Sequence, residues 1–206
     1  MTDGMLDSIQ PVVLVGGRSR RFGRDKLREP LGADGAEWLV DRPIRALREV
    51  FGARVAVVGE CHADVAARAD LQLRDDYPGM GPAGGILAAL EQSAGDVFVL
   101  AGDLPDITAS AIRAIVDVAS AVKARDAWVI MAEADGLQPV IALYRQAVRR
   151  HLEERLRSGV RSLHDLAPAD RLVVVPINRE LVRNVNTTEE LSKPIDMGTQ
   201  DSRLGT

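Results

Sequence analysis

Seven short apolar runs punctuate this chain: Val12 to Val15, Val55 to Val58, Leu71 to Leu73, Val97 to Leu100, Trp128 to Met131, Val140 to Leu143 and Leu172 to Val175. Between most of them lie stretches whose apolar residues recur three and four positions apart: EWLVDRPIRALREVF, GPAGGILAALEQS, ASAIRAIVDVASAVKA and RQAVRRHLEERLRSG. An unbroken short run suits a strand buried on both faces, and the three-and-four spacing suits an amphipathic helix. Strand then helix, repeated, implies a mainly parallel sheet between two helical layers. The first four strands fit that alternation, whereas WVIMAEADGLQPVIALYR reads as two strands joined by a tight turn at Asp135-Gly136. The expected fold is therefore α/β, a single Rossmann-like domain with a mainly parallel mixed sheet covered by helices on both faces. No repeat and no Pro/Gly/Ser linker divides the chain. One domain over residues 1–206 is expected, its core at about 10–195 and its polar termini, 1–9 and 196–206, loose.

Charge and apolar run length remove several classes of function. A net charge of -4 argues against the broad basic surface of a nucleic-acid binder. The longest apolar runs fall far short of a bilayer span, and MTDGMLDSIQ has neither the basic start nor the apolar core of a signal peptide. Cys61 is the sole cysteine, so no internal disulfide can form. The expectation is a cytoplasmic protein with no nucleic-acid and no membrane partner.

In open α/β sheets ligands bind beyond the carboxyl ends of the strands. Those ends carry GGRSRRFGRDK after the first strand, RDDYPGMGPAGG after the third, AGDLPD after the fourth, and NVNTTEEL late in the chain. Gly16 and Gly17 allow amide N–H groups to turn toward an anion, and Arg18, Arg20, Arg21 and Lys26 add full charges that suit a polyphosphate. The loop is not a Walker loop, because Phe22 stands where the second glycine is needed, and it does not fit G-x-G-x-x-G. The bland alternative is a solvated turn, since all but three of the basic residues are arginine.

Asp103 emerges from a buried strand, and Asp75 ends the preceding one, so the two carboxylates are expected to be able to hold one Mg²⁺ over one triphosphate. A turn or helix-cap role is the commoner fate of such residues and is the reading given to Asp106 and Thr108. Gly81 and Pro82 open a helix rich in small residues, where a flat ring or a phosphate could press on the main chain; Gly84 and Gly85 serve equally well as a tight helix–sheet contact.

With these residues assembled, the chain resembles the molybdenum cofactor guanylyltransferase (MobA) family of nucleotidyltransferases. The motifs are LVGGRSRRFGRDK from Leu14, DDYPGMGPAGG from Asp75, GDLP from Gly102, PVIALY from Pro139 and NVNTTEEL from Asn184. The resemblance implies that Leu14, Val15, Gly16, Gly17, Asp75, Gly81 and Pro82 bind nucleotide and that Lys26 meets its phosphates. It also implies that Asp103 coordinates Mg²⁺ with Arg21 and Lys26 assisting catalysis, and that Asn184 and Asn186 face the pterin. GTP and molybdopterin or molybdenum cofactor are the implied substrates, with molybdoenzyme-maturation proteins as further partners. Four positions depart from the family pattern: Val15 for Ala, Phe22 for Met, Gly102 for Cys, and Asp106 where an aromatic is frequent. Val58 stands where the family can carry an Asn near the base. CTP in place of GTP, another phosphorylated acceptor, and a non-catalytic nucleotide-binding role remain the alternatives.

Overall fold

The computed structural model of the chain describes residues 3–16, 25–31, 35–121 and 124–183. Its strands are β1 (Gln10–Leu14), β2 (Pro30–Leu31), β3 (Glu37–Trp38), β4 (Ala56–Val58), β5 (Leu71–Leu73), β6 (Val97–Ala101), β7 (Val129–Glu133), β8 (Leu137–Tyr144) and β9 (Leu172–Pro176). The helices are α1 (Asp3–Ser8), α2 (Asp41–Phe51), α3 (Ala63–Ala66), α4 (Pro82–Gln92), α5 (Ala109–Ser120) and α6 (Arg149–Arg157). Seven strands form one sheet in the order β5-β4-β1-β6-β8-β7-β9, and β2 and β3 form a separate antiparallel ribbon. All pairings in the large sheet are parallel except those of β8, which runs against both β6 and β7. The expected mixed, mainly parallel α/β sheet is what forms.

Alternate residues of each central strand feed opposite cores. Val13, Phe98, Leu100 and Ile130 pack with Ile44, Leu47 and Phe51 of α2 and with Ile112, Ile115 and Val116 of α5. Val12, Val97, Val99 and Met131 pack on the other face with Ile86, Leu87 and Leu90 of α4 and with Leu152 and Leu156 of α6. Both faces of β6 are dry, which is why its sequence is an unbroken apolar run. Glu133 pairs with Leu137, so Ala134, Asp135 and Gly136 form the hairpin connection, with positive φ of 50° at Asp135 and 125° at Gly136.

Two local expectations are corrected. Glu37 and Trp38, read as the start of a helix, form β3 instead: Trp38 N–H donates to Asp41 Oδ2 at 2.7 Å, and α2 begins only at Asp41. Residues 1–9 read as a loose terminus, yet Asp3–Ser8 form α1, Ile9 is buried, and Arg54 donates to the carbonyls of Leu6, Asp7 and Phe51. The far tail, 184–206, lies outside the described residues. Among the described residues no helix is long and apolar enough to cross a membrane.

Asp70 ties α2 to the edge of the sheet. It accepts from Arg48 Nη2 at 2.8 Å, Arg48 Nε at 3.2 Å and the Val55 amide at 2.9 Å. The Arg48 hydrogen bond, helped by the Val55 amide, holds the Asp70 carboxyl below its ordinary range. A depressed folded pKa adds stability above the ordinary carboxylate value near ~4, and that stability is lost as pH falls through the folded value. Asp70→Asn is therefore expected to cost about 1–2 kcal/mol in urea unfolding at neutral pH, with the gap to wild type closing in acid. Equal stabilities at neutral pH would contradict this role.

Candidate active site

The parallel register sets four strand ends level. Leu14 pairs with both Val58 and Ala101, and Val58 pairs with Leu73. Gly16, Glu60, Asp103 and Asp75 each stand two residues beyond that row. The strand order reverses between β1 and β6, so Gly16 and Asp103 flank the crevice where such sheets bind ligands. β5 lies three strands from β6, roughly 14 Å. At their strand ends, therefore, Asp75 and Asp103 are too far apart for one Mg²⁺ with oxygens at about 2.0–2.1 Å, and they suit different parts of an extended ligand.

Lys26 reaches the crevice through a short 3₁₀ turn, Lys26–Arg28. Asp25 caps this turn by accepting from the Leu27 amide at 3.1 Å, and Arg28 is tied to Asp64 at 2.8 Å. Leu27 is buried between them, so the turn is anchored on both sides of Lys26. Lys26 Nζ donates to Asp103 Oδ2 in an ion pair whose side chains are 21% and 18% exposed. Among the described residues Oδ1 of Asp103 has no hydrogen-bond partner. Gly102 explains itself here: a Cβ would lie 3.0 Å from Leu27 Cδ2 and 3.2 Å from the Leu14 carbonyl oxygen. The glycine lets the Lys26 turn settle on the end of β6.

The ends of β1 and β4 meet backbone to backbone. Val15 N–H donates to the Val58 carbonyl at 2.9 Å, and Gly102 N–H to the Leu14 carbonyl at 3.0 Å. Gly59 has φ of 120° and a Cβ there would fall 1.6 Å from the Val15 carbonyl oxygen; Gly16, at φ 107°, faces the Glu60 carbonyl oxygen at 2.8 Å in the same sense. The Val15 side chain is buried, so any ligand contact by this residue would come from its main chain.

After β5, Asp75 Oδ1 accepts from the Tyr77 amide at 3.0 Å, closing a small turn. A cleft of about 380 Å³, lined by Gly59, Gln72, Leu73, Arg74 and Asp75, opens beside it. Arg74 is held by Asp76 at 3.1 Å. Gly81 and Pro82 are exposed at the start of α4, with Gly81 at φ 68°. Gly84 and Gly85 are packing glycines: a Cβ would lie 2.8 Å from the Tyr77 carbonyl oxygen and 3.0 Å from Leu14 Cδ2, respectively.

Residues suited to acid–base or nucleophilic work are scarce at this end of the sheet. Tyr77 donates to Glu91 at 2.8 Å, and burial, then Glu91, pushes its phenol up to about 12. Burial, followed by Asp25, raises the Cys61 thiol, which keeps it protonated and poorly nucleophilic at neutral pH. Of the three histidines, His151 lies in α6, His62 precedes α3 as its cap, and His164 sits in a turn.

Gly17, Arg21, Asn184 and Asn186 lie outside the described residues. Thr108 caps α5 as expected, accepting from the Ala111 amide at 3.4 Å. Asp106 lies in a turn as expected and also pairs with Arg183 at 2.7 Å. Their separation of 77 positions left no local signal in the sequence for this pair.

The MobA-like NTP transferase domain model matches residues 11–181. A protein of Opitutus terrae named "probable molybdenum cofactor guanylyltransferase" is 34% identical over 182 residues, covering 86% of this chain and 84% of that one. Among solved structures, molybdopterin-guanine dinucleotide biosynthesis protein A of Archaeoglobus fulgidus has a TM-score of 0.63 at 24% identity, over 88% of this chain and 94% of its own. A Mycobacterium tuberculosis protein in complex with manganese has a TM-score of 0.57 at 17% identity, over 89% of this chain and 95% of its own. These two share the fold.

The Gly59 contact gives a direct test. Gly59→Ala must move either β4 or the Val15 carbonyl, and is expected to lower unfolding free energy by about 3 kcal/mol or more in urea titration. A loss under about 1 kcal/mol would show that the two strand ends are not in forced contact.

Proposed function

This chain belongs to the MobA-like NTP transferase family, and from that premise we propose that it transfers GMP from GTP to the terminal phosphate of molybdopterin or the molybdenum cofactor. The observation that carries the reading is the Lys26–Asp103 pair at the β1/β6 crevice, a cation and a carboxylate held together where the strand order reverses. The name of the Opitutus terrae relative supports the choice of GTP and molybdopterin.

The reaction needs little covalent help from the protein. An oxygen of the acceptor phosphate attacks the α-phosphorus of GTP, a new P–O bond forms, and the α–β bridging bond breaks with its electron pair leaving on pyrophosphate. The acceptor phosphate is already ionised, so no general base is required, in keeping with a site whose nearby Tyr77 and Cys61 both stay protonated. What must be overcome is repulsion between two anions, which fixed positive charge and positioning lower. Lys26 Nζ would neutralise charge gathering on the triphosphate as the bridging bond breaks, with Arg21 as a further proposed contributor. Asp75 and the cleft beside it would take the base and sugar end, with Leu14, Val15, Gly16, Gly17, Gly81 and Pro82 closing on the nucleotide through their main chains.

Asp103 has the donor chemistry for a divalent cation: a carboxylate with one oxygen on Lys26 and the other uncommitted among the described residues. Mg²⁺ is the proposed ion, and when bound it would neutralise phosphate charge and align the reacting oxygens. The manganese complex of the M. tuberculosis neighbour supports a divalent ion on this fold. Asn184 and Asn186 are proposed to face the pterin, molybdoenzyme-maturation proteins are proposed as recipients, and the cytoplasm is the proposed compartment.

Label from α-³²P GTP is expected to appear in a pterin dinucleotide when the enzyme is supplied with Mg²⁺ and molybdopterin, and label from CTP is not. Transfer from CTP instead would keep the mechanism and change the product. Asp103→Asn and Lys26→Ala are expected to melt like wild type yet lose roughly 10²–10³ in rate; wild-type turnover in either would remove that residue from the chemistry.

A further inference from the structure

The end of β4 offers a ligand only one kind of side chain. Ala56, Val57 and Val58 are buried, and Val58 packs in the core that α4 covers, so none of the three is available. Gly59 lines the cleft of about 380 Å³, and the Val15 carbonyl oxygen, 1.6 Å from where its Cβ would lie, allows it no side chain. Glu60 is therefore the first side chain that this strand presents beyond the sheet. Its main chain is held against Gly16, where an added Cβ would lie 2.8 Å from the Glu60 carbonyl oxygen and 3.0 Å from its nitrogen. The residue itself is exposed.

The neighbouring carboxylates all have partners. Asp103 is paired with Lys26, Asp64 with Arg28 and Asp76 with Arg74, while Asp25 accepts from the Leu27 amide and Asp75 from the Tyr77 amide. Among the described residues Glu60 has neither an ion pair nor a side-chain hydrogen bond. A lone carboxylate beside a triphosphate site opposes binding if it meets the phosphates and favours binding if it meets N–H donors. Lys26 and Asp103 mark the phosphate end at β1 and β6. Glu60 follows β4, two strand spacings or roughly 10 Å from β6, next in the chain to the Gly59 wall of the cleft. That is the base end of a nucleotide laid along the strand ends.

We propose that Glu60 selects guanine, its carboxylate accepting hydrogen bonds from the ring N1–H and the exocyclic N2 amino group of GTP. This deepens the reading of the chain as a transferase of GMP from GTP, and rests on it. Guanine presents those two N–H donors side by side, and a carboxylate presents two acceptor oxygens with no proton of its own. Cytosine and adenine each set a ring-nitrogen lone pair beside their amino group, so one Glu60 oxygen would face an acceptor and the base would be rejected. The same carboxylate therefore attracts one base and excludes two others.

The test is isothermal titration calorimetry of GTP, ITP, XTP and CTP, each with Mg²⁺, into the full chain and its Glu60→Gln and Glu60→Ala variants. ITP lacks the N2 amino group, and XTP carries a carbonyl oxygen in its place. Wild type is expected to bind GTP about 10- to 100-fold more tightly than the other three. Glu60→Gln is expected to weaken GTP by about the same factor and to bind XTP more tightly than wild type does, since its oxygen still accepts from N1–H while its amide donates to the new carbonyl. A gain of ligand cannot come from misfolding. Glu60→Ala is expected to bind GTP and ITP alike. GTP affinity within about twofold of wild type in both variants, or an unchanged ratio of GTP to ITP affinity, would overturn the inference and leave GMP transfer standing. A wild-type protein that prefers CTP, or binds no triphosphate, would overturn the functional reading and this inference with it.

Discussion

The parallel pairing of β1 with β4 and β6 fixes where Gly16 and Asp103 stand. Because Leu14 is level with Val58 and with Ala101, each chain leaves the sheet at the same height, and a displacement of two residues carries Gly16 and Asp103 to the rim of one crevice. The contact is made by main chain: Gly59 against the Val15 carbonyl, and Gly102 N–H on the Leu14 carbonyl. Side chains cannot intervene there, which leaves the loops after β1 and β6 free to carry charge.

Among the described residues, Lys26, Asp103 and Asp106 each have a partner before any ligand arrives. Lys26 and Asp103 neutralise one another at the mouth of the crevice, and the turn bearing Lys26 is held by Asp25, buried Leu27 and the Arg28–Asp64 pair. An isolated pair with this much solvent contact adds little to stability. On the proposed function its worth would lie in holding an ammonium and a carboxylate ready, so that a triphosphate and its cation would meet groups that need not reorganise. Asp106 and Arg183 form a second pair in the same loop, where the lower exposure of Asp106 makes a partner more obligatory.

Much of this was legible in the sequence for simple reasons. Strands dry on both faces write themselves as apolar runs, and β1, β4, β6 and β7 did so. Asp135-Gly136 announced a hairpin because positive φ at both positions selects those residue types. The short ribbon of β2 and β3 stayed hidden, since Trp38 continues the apolar spacing of α2, and it is the pairing with β2 and the Trp38–Asp41 hydrogen bond that take these residues out of the helix. The insertion of β8 between β6 and β7 is a tertiary choice that no local pattern encodes. For the site, Lys26 and Asp103 could be found by their motifs, but their contact, like that of Asp106 with Arg183, spans 77 positions. Gly84 and Gly85, equally readable as ligand-facing or packing, prove to be packing once the positions of Tyr77 and Leu14 are seen.

In the proposed function Asp103, braced by Lys26 at the reversal of strand order, gathers a divalent ion and a nucleoside triphosphate into one complex. Electron paramagnetic resonance of Mn²⁺, titrated into the protein with and without GTP, measures this directly. The expected result is a bound Mn²⁺ signal that tightens when GTP is added and is lost in Asp103→Asn while the variant remains folded. Equal Mn²⁺ affinity in wild type and Asp103→Asn, with GTP present, would contradict it.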